Sequence, residues 1–178
     1  RVLFVASASV RKGLACLREA LRPLVLRGRP KHWLVGAVST EARAPLARHG
    51  DIVTPRGFVP PDQLAATYSQ GSVLVLPSIE EGLARVQAQA MACGLPVIAT
   101  PNTGAEDLFD DGREGFIVPI RDPRAIQERL EWMLAHPDAR REMGEAARRR
   151  VGSLSGWSAY GDAVERLYQR LLDGGSPA

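Results

Sequence analysis

The stretch from Val73 to Ala99, VLVLPSIEEGLARVQAQAMACGLPVIA, leaves few folds open to this chain. Val73 to Leu76 is an unbroken apolar run of the kind a strand buried on both faces needs, and a second such run begins at Pro96. Between them lie a glycine-containing turn and a segment with helical spacing of apolar residues. Strand, helix and strand in that order make a right-handed parallel crossover, which puts the turn and the helix N-terminus at one edge of a parallel sheet. That edge is where an open α/β sheet binds ligands. The crevice lies beyond the carboxyl ends of the strands, and a helix start offers unpaired N–H groups and a positive dipole end to an anion. Glu80 and Glu81 stand in the turn, Gly82 lets a ligand approach the backbone, and Arg85 and Gln89 fall one turn apart on one helix face.

The rest of the chain repeats this unit. Arg1 to Ser7 is a continuous apolar strand, SASVRKG is a basic turn, and Leu14, Leu17, Leu21 and Leu24 recur at helical spacing until Gly28 and Pro30. Further strands are expected over 31–39, 51–59, 96–100 and 114–119. Thr40 is placed to cap a short helix through Ala42, Leu46 and Ala47 that stops at Gly50, and Pro60-Pro61-Asp62 opens a helix carrying Leu64, Ala65 and Tyr68. Asp122 caps another with Pro123 at its first position, Pro137-Asp138 opens the next, and Trp157 begins a last helix with Val164, Leu167, Tyr168 and Leu171. The pattern predicts an α/β fold, a doubly wound Rossmann-like parallel sheet of about six strands with helices on both faces. One globular domain over residues 1–154 is expected, followed over 155–178 by the terminal helix and a frayed tail. The 178 residues, 45% apolar, suffice for a core of their own.

Charge and residue types narrow the function. Lys and Arg number 23 against 20 Asp and Glu, a net charge of +3 spread over scattered arginines, so nucleic acid is not an expected partner. Cys16 and Cys93 read as structural thiols in a reducing compartment. His32, His49 and His136 have no cysteine or carboxylate at ligand spacing, so no metal site is expected, and no Ser, His and Asp constellation presents itself. Neither a leader nor an apolar run of transmembrane length is visible, and a soluble, cytoplasmic chain is expected. Arg1 opens directly onto a core strand, so a longer parent is expected too. Arg148, Arg149 and Arg150 suit a solvated helix C-terminus, with contact to anionic lipid as the second reading. A pyrophosphate at a helix start wants a compact cation beside it, which makes Lys12, with Arg11, a candidate ligand; the alternative is that both are solvated first-turn residues.

Pro77, Ser78, Glu81 and Gly82, followed by Ala90-Met91-Ala92-Cys93-Gly94-Leu95-Pro96-Val97, resemble the donor-site signature of the retaining glycosyltransferases of family 4, the group 1 glycosyl transferases with two-domain GT-B architecture. Lys12-Gly13 matches that family's diphosphate-gripping Lys-Gly, while Ala6-Ser7 stands where Gly-Arg is usual. Leu83-Ala84 replaces Phe-Gly, and Gln89, eight positions after Glu81, stands where a second Glu is usual. The resemblance implies that the chain is one half of a GT-B architecture, the carboxy-terminal donor-binding half. It places the donor diphosphate on Arg11, Lys12, Gly82 and the N–H groups of Leu83, Ala84, Arg85 and Val86. It gives Glu81 the catalytic position, where it accepts hydrogen bonds from the sugar hydroxyls, and gives Gln89 the ribose. Gly57, Phe58 and Val59 would line the nucleobase pocket, although a core strand explains Phe58 as well. Thr103 to Glu106 matches a loop that lies under the donor, and Glu106 alternatively supports a helix start.

The implied substrate is a UDP-, GDP- or ADP-sugar, with no cofactor and no metal. The acceptor would be held by an amino-terminal domain of the same polypeptide that is absent from this chain. The parent is then expected to be a hexosyltransferase of cell-surface glycan biosynthesis, in the cytoplasm or peripherally at the inner face of the membrane, and the fragment alone would turn over little. Two other readings stay open: a non-catalytic relative acting as a binding or scaffold domain, and a GT-B-like sugar-nucleotide epimerase, which the Ala-Met-Ala-Cys-Gly run argues against.

Overall fold

Alternate residues of a strand point to opposite faces of its sheet, and in this chain both faces are apolar, so helices are required on each. The computed structural model describes residues 1–28, 32–40, 42, 52–154 and 156–173. Its strands are β1 (Val2–Val5), β2 (His32–Val35), β3 (Thr54–Gly57), β4 (Val73–Leu76), β5 (Val97–Ala99) and β6 (Gly115–Ile117). They form one all-parallel sheet in the order β3-β2-β1-β4-β5-β6. The helices are α1 (Leu14–Leu26), α2 (Pro61–Tyr68), α3 (Arg85–Ala92), α4 (Ala105–Leu108), α5 (Pro123–Ala135), α6 (Pro137–Gly152) and α7 (Gly156–Leu172), with a 3₁₀ turn at Pro101–Thr103.

Val2, Phe4, Leu34, Val73, Val75 and Ile98 face one way and pack with the leucines of α1 and with Ile126, Leu130 and Met133 of α5. Leu3, Val5, Val35, Leu74, Leu76 and Val97 face the other way, against Tyr68 of α2, Ala90 and Met91 of α3 and Ala147 of α6. Strand order reverses between β1 and β4, which makes their carboxyl ends the switch point where such sheets bind ligands.

The expected architecture is therefore present, with three differences. The helix expected over 40–50 lies outside the described residues apart from Thr40 and Ala42, as does the tail over 174–178. β3 is no core strand: all four of its residues are exposed and Phe58 beyond it is 76% exposed. Pro55 explains this, because a proline lacks the donor that an inner strand needs and is accommodated at a sheet edge. Finally, α7 forms but leaves Leu167, Tyr168, Leu171 and Leu172 exposed.

Candidate functional site

The turns after β1 and β4 are locked together before any side chain chemistry begins. Gly13, the N-cap of α1, has φ 71°, and a Cβ there would lie 1.8 Å from the Pro77 carbonyl oxygen, so only glycine permits this approach. The Ile79 N–H donates to the Arg11 carbonyl at 2.8 Å. These contacts carry Lys12 to Glu81, and the Lys12 ammonium pairs with the Glu81 carboxylate. Both side chains are mostly withdrawn from water, 13% and 21% exposed. Burial holds the Lys12 amine below its ordinary value, Arg11 adds to the depression, and Glu80 opposes it.

A cleft of about 340 Å³ opens at this point, lined by Ala6, Ser7, Lys12, Glu81 and the start of α3 from Leu83 to Val86. That helix start has no side-chain cap and no acid in its first turn. Its dipole and outward N–H groups are thus available to a negatively charged ligand, with Lys12 opposite. Arg85, exposed at the first helical position, lines the same cleft.

The structure brings together Lys12, Glu81, Leu83, Ala84, Arg85 and Val86, as the sequence analysis expected, and separates others. Arg11 is exposed and does not line the cleft, nor does Glu80. Gly82 is exposed at the rim, where a Cβ would meet no protein atom. The Ala84 N–H is already engaged with the Thr103 carbonyl at 3.1 Å, so this amide drops out of the expected anion-binding set. The Gly57 carbonyl accepts from the Gly36 N–H at 2.8 Å. Gly57 and Phe58 are exposed and Val59 half-buried at the carboxyl end of the edge strand β3, two strands along the same sheet edge from β1, and none of them lines the cleft. Gln89 is exposed one turn along α3 from Arg85, and its Oε1 accepts from the Tyr68 hydroxyl at 3.1 Å. Burial pushes that phenol well above its usual range, keeping it a donor.

Sequence reasoning missed Gln87 and Thr100, which are fully buried behind the cleft, and read the equally buried Thr103 only as part of a loop under the donor. One signal was present. Gln87 shares a helix face with Ala90 and Met91, and a polar residue on an apolar face needs buried partners. Among the described residues no group of three or more His, Cys, Asp or Glu could hold a metal ion, and no helix is long and apolar enough to cross a membrane.

A cation and a carboxylate thus pair at the switch point of a doubly wound sheet, next to an uncapped helix start that can accept an anionic group. The chain matches the family "Glycosyl transferases group 1" over residues 1–136 and belongs to it. It is 33% identical over 116 residues to a D-inositol 3-phosphate glycosyltransferase of Corynebacterium jeikeium, which covers 65% of this chain and 27% of that one. Its fold matches a sucrose-phosphate synthase of Thermosynechococcus elongatus at TM-score 0.82 and 30% identity, over 98% of this chain and 46% of that one. An Anabaena protein solved in complex with UDP shares the fold at TM-score 0.78 and 20% identity, over 94% of this chain and 48% of that one. The chain thus spans less than half the length of each of these relatives.

Proposed function

We propose that this chain is the donor-binding half of a retaining glycosyltransferase, which moves a sugar from a nucleoside diphosphate sugar to an acceptor. One observation carries the reading: Lys12, Glu81 and the start of α3 meet in a single cleft at the β1–β4 switch point. In transfer, the bond between the anomeric carbon and the diphosphate oxygen breaks, the nucleoside diphosphate leaves with the electron pair, and an acceptor hydroxyl oxygen bonds to the anomeric carbon and gives up its proton. The growing charge on the leaving group is what must be stabilised. Lys12, Arg85 and the N–H groups at the start of α3 do so without a protein-held metal. Glu81, oriented by Lys12, accepts hydrogen bonds from sugar hydroxyls and holds the anomeric carbon in place.

The acceptor and the remaining catalytic groups belong in this reading to an amino-terminal domain, which the partial coverage of the relatives supports. The UDP bound by a neighbour of the same fold supports a nucleoside diphosphate as the ligand class, with UDP-, GDP- and ADP-sugars all to be tested. Glycan assembly in the cytoplasm, at or near the inner face of the membrane, is the setting we propose for the parent. Calorimetric titration with the three diphosphates and their glucose or mannose conjugates tests the reading. Saturable binding of one, stronger with the sugar attached and weakened in Lys12→Met, is the expected result; binding of none would favour a non-catalytic scaffold.

A further inference from the structure

The loop that carries Glu81 is held from behind by a second loop, and the holding atoms are side chains that never reach the cleft. Resting on the donor reading above, we propose that Gln87 and Thr103 are positioning residues: a buried clamp that fixes residues 78–84, and so keeps Glu81 and the opening N–H groups of α3 presented to the donor.

Gln87, Thr100 and Thr103 are each 0% exposed, and none of them lines the cleft. Gln87 Nε2 donates to the Thr103 carbonyl at 2.8 Å, and that same carbonyl takes the Ala84 N–H at 3.1 Å. One acceptor therefore ties both the N-cap residue of α3 and a side chain of its first turn to the neighbouring loop. The Thr103 hydroxyl lies 2.7 Å from the Thr100 carbonyl and 3.3 Å from Gln87 Oε1; its single proton serves one acceptor at a time. Thr100 Oγ1 donates to the Ser78 carbonyl at 2.6 Å, and Asn102 Nδ2 donates to the Ile79 carbonyl at 2.7 Å. The loop over 100–104 thus grips the loop over 78–84 at both of its ends. Packing seals the middle, since a Cβ on Gly104 would lie 2.9 Å from Leu83 Cδ1.

A buried primary amide is costly unless its donors and acceptor are satisfied, and this one is satisfied only while the two loops keep their present register. An apolar residue would fill the same space without specifying that register. The polar pair fixes where the loop stands rather than how tightly the core packs, which is what a binding site needs from the residues behind it.

The test uses the full 178-residue chain and the variants Gln87→Met, Thr103→Val and Thr103→Ser, with amide hydrogen exchange of residues 79–85 and calorimetric titration of UDP, GDP and ADP as readouts. Gln87→Met and Thr103→Val should each speed exchange of the hydrogen-bonded Ile79 and Ala84 N–H groups at least tenfold relative to β1 and β4 and weaken diphosphate binding five- to tenfold. Thr103→Ser should behave as wild type, and the double variant no worse than the worse single one. Wild-type exchange at 79–85 in Gln87→Met, or exchange raised equally across the whole sheet, would overturn the clamp. Should Gln87→Met fail to fold, Thr103→Val, which loses one hydroxyl, decides by the same criteria. If the wild-type chain binds none of the three diphosphates, the donor reading falls, and local exchange alone decides whether Gln87 and Thr103 position the loop.

Discussion

The two edges of the one sheet treat polar groups in opposite ways. At the amino edge, His32 opens β2 with 3% exposure and no hydrogen-bond partner among the described residues on either ring nitrogen, and Glu114, 2% exposed ahead of β6, pairs with Arg113 and accepts from the Asp110 N–H. At the carboxyl edge, Lys12 and Glu81 pair in the wall of an open cleft, Arg85 is exposed, and α3 starts without a cap. The amino edge closes over these polar groups; the carboxyl edge buries Gln87, Thr100 and Thr103 behind the cleft but leaves Lys12, Arg85 and the start of α3 addressable. The difference separates what stabilises this fold from what it uses. Changes at the amino edge should register in unfolding experiments, and changes at the carboxyl edge in binding ones.

The largest effect expected is on stability and comes from the closed edge. Burial, with the positive amino terminus adding, pushes the His32 imidazole down to about 4 from an ordinary 6.5. The folded state therefore resists the proton that the unfolded chain accepts. Stability is complete above about pH 6.5 and declines as pH falls from there towards 4, by up to about 3 kcal/mol. Urea unfolding at pH 7.0 and 4.5 measures the loss, and His32→Leu should remove most of the pH dependence. A His32→Leu chain that keeps the wild-type slope would show that other groups set the acid limit. Diphosphate binding at pH 7 should not change.

At the open edge the order reverses. Lys12→Met deletes the cation and leaves the Glu81 carboxylate facing an incoming diphosphate, so affinity should fall by about 2 kcal/mol, roughly thirtyfold. Unfolding free energy should fall by a smaller amount, about 1 kcal/mol, because the largely withdrawn Glu81 carboxylate loses its partner while the open cleft still admits water. Calorimetry and urea titration on the same variant compare the two quantities, and a variant that unfolds readily but binds normally would erase the distinction between the edges.

What could be read from the sequence follows the same division. The strands and the switch-point turn were legible because apolar runs and turn residues are local patterns, and the approach of Lys12 to the helix start near Leu83 was legible through the resemblance that Lys12-Gly13 and the ordered motif around Glu81 carry. The clamp was not, because Gln87 and Thr103 lie 16 residues apart and their bond exists only once α3 and the following loop pack. Arg11 and Arg85 exchanged prominence for a similar reason: adjacency to Lys12 in sequence says less about facing a cleft than the first position of a helix does. Phe58 looked equally like a core residue because its strand is apolar enough, and the exposed edge showed only in Pro55.

Not every helix start at the carboxyl edge is open, and this supplies a smaller prediction. Asp122 caps α5 by accepting from the Ala125 N–H at 2.9 Å, with Pro123 filling the next position, so this start is already satisfied where that of α3 is not. Asp122→Ala should lower stability by about 1 kcal/mol, as cap removals do, and leave calorimetric diphosphate binding unaltered. Weakened binding in this variant would mean that α5, and not α3 alone, faces the ligand.

The smallest expected effect concerns Gln89. Its Oε1 is taken by the Tyr68 hydroxyl, which leaves its amide nitrogen to meet the ribose, a neutral donor where a carboxylate would accept. Gln89→Glu keeps the Tyr68 bond, because a carboxylate accepts from the phenol at least as well, and adds a charged acceptor for ribose hydroxyls. Diphosphate affinity should rise by about 1 kcal/mol or less, roughly fivefold, in calorimetry, and the gain should shrink for a 2′-deoxyribose diphosphate. Equal gains with both sugars would place the new charge away from the ribose, and no gain with either would remove Gln89 from the site and confine the ligand to the cleft between Lys12 and the start of α3.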